Sequence, residues 1–132
     1  WCWQTEGGRH VLYLLDESSN KEQLAKADNA VSYGVWHFLA VTYNSAGGGS
    51  AASGITLYKD GAADAQTASG DATYVAMENL AQAVQIGAYG GGTQHLDGQI
   101  LGGPWGPFFT QIELTAEQIK NLYEDMRLGL GV

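Results

Sequence analysis

The stretch "SYGVWHFLAVTY", residues 32–43, decides how the chain is read. Extended as a strand, it sends Trp36, Phe38, Ala40 and Thr42 to one face and Val35, His37, Leu39, Val41 and Tyr43 to the other. Both faces are largely apolar. A strand with one face in water alternates apolar and polar residues, so this one needs a cover on each side, or half of its apolar surface waits for a partner.

Working outward, most of the chain reads as β. Gly accounts for 19 of 132 residues and Pro for only 2, a balance that favours tight turns between extended segments. Strands are expected at 1–4, 9–15, 23–27, 35–43, 54–59, 62–67, 83–88, 96–101 and 105–112. Short strands at this spacing indicate a sandwich or barrel. In "GITLYKDGAADAQT" the Asp60-Gly61 pair supplies the positive φ of a two-residue hairpin turn. In "VQIGAYGGGTQHLDGQI" a tip at Gly90-Gly91-Gly92 separates two strand-like runs. The low-complexity "NSAGGGSAAS", residues 44–53, is expected to be a mobile loop without an apolar anchor.

One helix is expected, in "LTAEQIKNLYEDMRLG", residues 114–129. Thr115 is a fitting N-cap, Gln118 completes a capping box, and Leu114 with Ile119 can staple the start. Ile119, Leu122, Tyr123 and Met126 make an apolar stripe, while Glu117, Lys120, Glu124 and Asp125 lie off it. Arg127 suits the negative end of the dipole, and Gly129 is expected to stop the helix in a left-handed turn. Three turns cannot form a core alone, so the stripe must lie on a sheet.

A chain of 132 residues is one domain's worth, expected to form a single sandwich over 1–132. Its start without Met, inside a strand-like run, makes a fragment of a longer chain the expectation. With 6 Lys and Arg against 14 Asp and Glu, the net charge of -8 repels phosphate backbones and anionic lipid, which sets nucleic acid and membrane surfaces aside as partners. No apolar run approaches the roughly 20 residues of a spanning helix, and residues 1–6 lack the form of a signal peptide. The single Cys2 cannot form an internal disulfide and reads as an apolar strand residue, not a nucleophile.

The order "WHFLAVTY", "ITLYKDG", "VQIGA" with a loop and "LDGQI", and finally "ELTAEQIKNLY" resembles concanavalin A-like lectin/glucanase domains, in their laminin G-like and pentraxin-like branch. The resemblance spans 35–123. It implies an all-β jelly-roll sandwich of two antiparallel sheets with a short C-terminal helix outside, and a core containing Trp36, Phe38, Leu57, Ile86 and Leu96 or Ile100. Such domains usually carry further strands before the block matching 1–15; either those belong to a part of the protein outside this chain or a neighbouring subunit contributes them. The stretch "GGPWGPFFTQIELT" is also similar to segments of structural proteins of tailed bacterial viruses, which implies an extracellular or virion-surface location.

Catalysis is not expected. Glucanases of this fold set their carboxylates as E-x-D-x-x-E on one strand, and that pattern is absent; Asp16, Glu17 and Glu22 lie in a turn-like stretch, and His10, His37 and His95 are scattered. Carbohydrate binding fits better, because sugars are held by aromatic faces and planar polar groups on loops of a rigid scaffold. The candidates are Tyr89, Thr93, Gln94, His95 and Asp97 in "AYGGGTQHLDG", with Trp105 and Tyr74 as further aromatics. Each has a plainer reading, as a Gly-rich turn or a sheet-edge aromatic. The family's frequent calcium, bound by carboxylates and carbonyls, would be held here by Asp28 and Asn29, with Asp60, Asp64, Asp71 and Asp97 in turns as further candidates; of these, Asp60 and Asp97 precede Gly and are better explained as turn formers. Two functions stay open: a glycan-binding adhesion module facing a cell-surface polysaccharide, and a structural decoration domain whose apolar strand face packs on protein partners in a larger assembly.

Overall fold

In a computed structural model, residues 1–78, 80–81, 83–89, 94–102 and 106–130 are described. They form two compact units, one of residues 1–78 with 112–132 and one of residues 79–111.

The first unit holds the sandwich. Its larger sheet has the order β1 (Cys2–Glu6), β2 (Arg9–Asp16), β3 (Lys21–Ala27) and β7 (Gln66–Gly70), all antiparallel. The smaller sheet runs β4 (Leu39–Tyr43), β5 (Ile55–Lys59) and β6 (Ala62–Ala63). Residues paired across a ladder share a face, so Trp3, Leu12, Ala25 and Ala68 make one inward row of the larger sheet. The core joins Leu12, Leu14, Ala25 and Ala27 to Ile55, Leu57 and Tyr74, with Val41 and Tyr43 packed against it. Two antiparallel sheets and a C-terminal helix are thus the architecture that the family resemblance implied, where strand spacing alone left sandwich or barrel open.

The 32–43 stretch is where expectation and structure part. The strand begins at Leu39, not at 35, because Phe38 is tied to the β5–β6 turn instead of lying in a longer strand: its N–H donates to Asp60 Oδ1 at 3.0 Å, and its C=O accepts from Asp60 N–H at 2.8 Å. Trp36 therefore stands outside the sandwich and is 55% exposed. The core face is the other one, with Val41 opposite Leu57 and Tyr43 opposite Ile55. Leu57 is fully buried as expected, whereas Ile86, Leu96 and Ile100 are exposed.

The helix α1 (Ala116–Leu130) covers part of the remaining face. Its capping box forms as read: Thr115 N–H donates to Gln118 Oε1 at 2.8 Å, and Gln118 N–H to Thr115 Oγ1 at 3.2 Å. Ile119 is buried, and Leu122, Tyr123 and Met126 are half-buried along the same stripe. The helix packs on β6, and the Tyr123 ring lies 6.0 Å from that of Phe38. Gly129 does not stop it, since the helix runs on to Leu130.

Tyr123 also sits on Gly61. Asp60 and Gly61 both have positive φ, 52° and 79°, as a two-residue hairpin turn demands. A Cβ at Gly61 would lie 2.6 Å from Tyr123 Cδ1. Gly61→Ala is expected to lower stability by about 2 kcal/mol through backbone strain and overpacking, measured by urea unfolding. An unchanged midpoint would show that the helix seat does not depend on this contact.

Three further expectations change. Residues 62–67 are not one strand: β6 ends at Ala63, and after a crossover at Asp64 and Ala65 the chain enters the other sheet as β7. The 44–53 insert is not a mobile loop: a 3-10 helix (Gly48–Gly54) folds inward with Ala51, Ala52 and Gly54 buried against β3, β5 and β7. Its alanines are the apolar anchor, and Gly49 lies so close to the Ala72 carbonyl that no side chain fits. Further on, only Ala88 of the strand expected at 83–88 is in a strand, β8 (Ala88–Tyr89); β9 (Gln94–His95) precedes the strand expected at 96–101, none of which forms, and residues 106–112 of the one expected at 105–112 are not a strand.

Candidate functional site

In the second unit, β8 and β9 pair Ala88 with His95 and Tyr89 with Gln94, and Leu96 N–H donates to Gly87 C=O at 2.9 Å. Successive pairs alternate between the faces of a ribbon, so Gln94 and His95, both exposed, point to opposite sides. A ligand on one face of this hairpin meets one or the other. Asp97 is exposed beyond β9. Thr93 and Trp105 lie outside the described residues. Tyr74, a further aromatic candidate, is buried in the core of the first unit.

The first unit presents aromatics of its own. The connection between β3 and β4 carries Tyr33, 90% exposed, and Trp36. Its backbone is tethered at both ends: Val31 N–H donates to Gly8 C=O at 2.7 Å, and the Phe38 backbone is held by Asp60. His37 Nδ1 lies 2.8 Å from Asp60 Oδ2, which further fixes the residue after Trp36. Two solvent-facing aromatics on a connection held in this way are suited to stacking on a flat ligand at low ordering cost. The sequence reading placed Trp36 in the core and passed over Tyr33; Gly34 between them, a turn residue within an apolar run, is the signal that the strand starts later.

The expected calcium ligands have other partners. Asp28 Oδ1 accepts from the Thr67 hydroxyl at 2.8 Å, and Asn29 Nδ2 donates to Asp64 Oδ1 at 3.4 Å. Both residues thereby brace the crossover between the sheets. Asp71 accepts from Thr73 and pairs with Lys21 at 2.8 Å, which holds its carboxyl well below the usual carboxylate range. Among the described residues no group of three or more His, Cys, Asp or Glu is gathered to hold a metal ion.

Two polar residues inside the sandwich escaped the sequence reading. Gln23 is almost fully buried: its Nε2 donates to Gly49 C=O at 3.2 Å and Asp71 C=O at 2.7 Å, and its Oε1 accepts from Ala52 N–H at 3.0 Å. Gln66 donates from Nε2 to Ile55 C=O and accepts at Oε1 from Leu57 N–H, each at 2.8 Å. Gln23 lies in phase with the inward Ala25 and Ala27, and a polar residue at an inward position was the signal available.

Two antiparallel sheets around a common core, with a capped helix outside and the exposed aromatics and polar side chains on connections, define a lectin-like β-sandwich. The chain belongs to the concanavalin A-like lectin/glucanases superfamily, whose laminin G-type family model matches residues 3–101. It is similar in fold to a crystal structure of an S-layer domain-containing protein from Clostridium thermocellum, with a TM-score of 0.50 and 18% identity over 93% of this chain. The match spans 66% of that chain, so the present chain covers just under two thirds of its length. No curated protein matches the sequence. No helix among the described residues is long and apolar enough to cross a membrane.

Proposed function

We propose that the chain is a non-catalytic β-sandwich module of a larger assembly at a cell or virion surface, with glycan binding as its adhesive role. The observation that carries this reading is the tethered connection bearing Tyr33 and Trp36 in solvent. Membership of a lectin-containing superfamily and the likeness to an S-layer domain protein support the extracellular setting. The superfamily's glucanase chemistry is not proposed, because the E-x-D-x-x-E strand pattern is missing. A net charge of -8 favours a neutral polysaccharide over an acidic one and disfavours nucleic acid. The virus resemblance of residues 102–115 makes a tailed-virus virion the finer form of the same proposal.

An array of neutral and acidic oligosaccharides tests it. Binding to neutral glycans is expected, weakened about fivefold in Trp36→Ala or Tyr33→Ala, since stacking on one aromatic contributes on the order of 1 kcal/mol. Loss on Gln94→Ala or His95→Ala with Trp36→Ala unaffected would move the site to the β8–β9 hairpin. Silence across the array counts against the glycan reading altogether. Calcium enters as an arm of the same experiment: a ligand role for Asp28 and Asn29 requires EDTA to weaken binding and Asp28→Asn to remove the calcium dependence.

The second reading, a decoration domain without a ligand, is favoured by β1. This strand is at the edge of the larger sheet, and Trp3, on the inward row, is still 37% exposed. It predicts concentration-dependent self-association or binding of an apolar dye; a monomer at high concentration without dye binding would remove its motive.

A further inference from the structure

The crossover between β6 and β7 is the shortest link between the two sheets, and a buried histidine is set against it. His10 is fully buried on the inward face of β2, opposite Thr5 of β1. Its Nε2 lies 3.4 Å from Asp64 Oδ2, whose side chain is itself only 5% exposed. Asp64 is anchored on its other sides by Asn29 at Oδ1 and by its own N–H to Leu57 C=O at 2.8 Å. The Nδ1 of His10 is buried and has no hydrogen-bond partner among the described residues.

We propose that the His10–Asp64 contact is an acid-operated clasp, which holds the crossover to the larger sheet while the imidazole is neutral and releases the start of β7 when His10 takes up a proton.

The neutral ring meets its surroundings adequately in the tautomer whose Nε2–H donates to the Asp64 carboxylate, since Nδ1 then keeps only a lone pair where it is buried without a partner. A second proton makes Nδ1–H a buried donor without an acceptor, and it charges a ring that water does not reach. Asp64 and Lys59 are the charged groups that act on the ring; Asp64 favours the cation and Lys59 opposes it. Burial outweighs the attraction of Asp64 and keeps His10 easier to deprotonate than an ordinary histidine. The sign follows. An unfolded or locally opened chain binds this proton at about pH 6.5, so the clasp is intact above that pH and weakens as pH falls below it.

The opening is expected to be local. The crossover is held by Asp64 N–H to Leu57 C=O and by Asp28 N–H to Ala65 C=O, both 2.8 Å, and it joins a two-residue strand to an edge strand. Such segments open at lower free energy than the central ladder of β2 and β3.

Amide hydrogen exchange on the whole chain, corrected for intrinsic rates and followed from pH 7.5 to 4.5, tests the clasp. Opening at the Asp28, Leu57 and Asp64 amides should increase by up to about tenfold per pH unit below about 6.5. Amides of β2 should keep their protection over the same range, and in His10→Gln the extra opening should vanish. The same pH dependence in wild type and His10→Gln overturns the proposal. If the variant does not fold, the wild-type ring decides: a His10 imidazole that titrates at or above about pH 6.5 refutes the clasp, whereas one that stays neutral below that range supports it.

Discussion

Gln23→Leu is expected to produce the largest loss of stability of any single substitution at a polar residue of this chain. The leucine keeps the volume but removes the carboxamide's bonds to three backbone groups at once: the Gly49 carbonyl, the Ala52 N–H and the Asp71 carbonyl, of which the last still accepts from Tyr74 N–H at 3.0 Å. Each backbone group left unsatisfied and buried costs about 1–3 kcal/mol, so a total of about 2–5 kcal/mol follows from the Gly49 carbonyl and the Ala52 N–H. Against a domain stability of about 5–15 kcal/mol, that is enough to populate the unfolded state. Urea unfolding gives the number. Gln23→Glu separates the mechanism from simple packing, because it keeps the acceptor for Ala52 N–H but turns oxygen lone pairs toward two carbonyls; it should be at least as damaging as leucine. A loss under about 1 kcal/mol for either variant would mean that the 3-10 helix packs without this hub.

Gln66→Leu is expected to be nearly as severe, by about 2–4 kcal/mol, for a related reason. The short β6 pairs with β5 only at Tyr58 and Lys59 before the chain leaves the sheet. The carboxamide of Gln66 then takes the place of the missing strand, accepting from Leu57 N–H and donating to Ile55 C=O. Both of these β5 residues are buried, so water cannot substitute. The variant should lower the unfolding midpoint and raise amide exchange at Leu57, leaving exchange in β1 and β2 unaltered. Unchanged exchange at Leu57 would show that another group satisfies it. The two glutamines lie in different regions, and their effects should combine close to additively unless the collapse of one moves the other.

Much of the architecture was legible because its codes are local. The expected strands 1–4, 9–15 and 23–27 match β1, β2 and β3 to within two residues at each end; Asp60-Gly61 specified a turn that needs two positive φ values; and Thr115 with Gln118 marked the helix start. Each depends on neighbours within a few positions. The face of the 32–43 strand was not legible, because both faces are apolar and period 2 gives no preference between them. The inward face was chosen by the opposite sheet, where Leu12, Leu14, Ala25 and Ala27 leave room that Val41 and Tyr43 occupy. The 44–53 insert was misread for a related reason. Small residues carry little hydrophobic signal, yet small size is what lets Ala51 and Gly49 fit against β3 and β7.

The candidate site follows the same division. Its residue types could be listed from the sequence, but register sends Gln94 and His95 to opposite sides of their hairpin, and a strand that begins four residues late leaves Trp36 in solvent. By itself, then, the amino-acid order determined a mostly β chain of short strands, the Asp60-Gly61 hairpin and the capped helix, since hydrogen bonds and dihedral preferences between near neighbours suffice for them. Only the tertiary structure decided which apolar face is core, that Gln66 stands in for a missing strand while Gln23 ties down the 3-10 helix, and which histidine is sealed from water, because burial depends on segments distant in the chain.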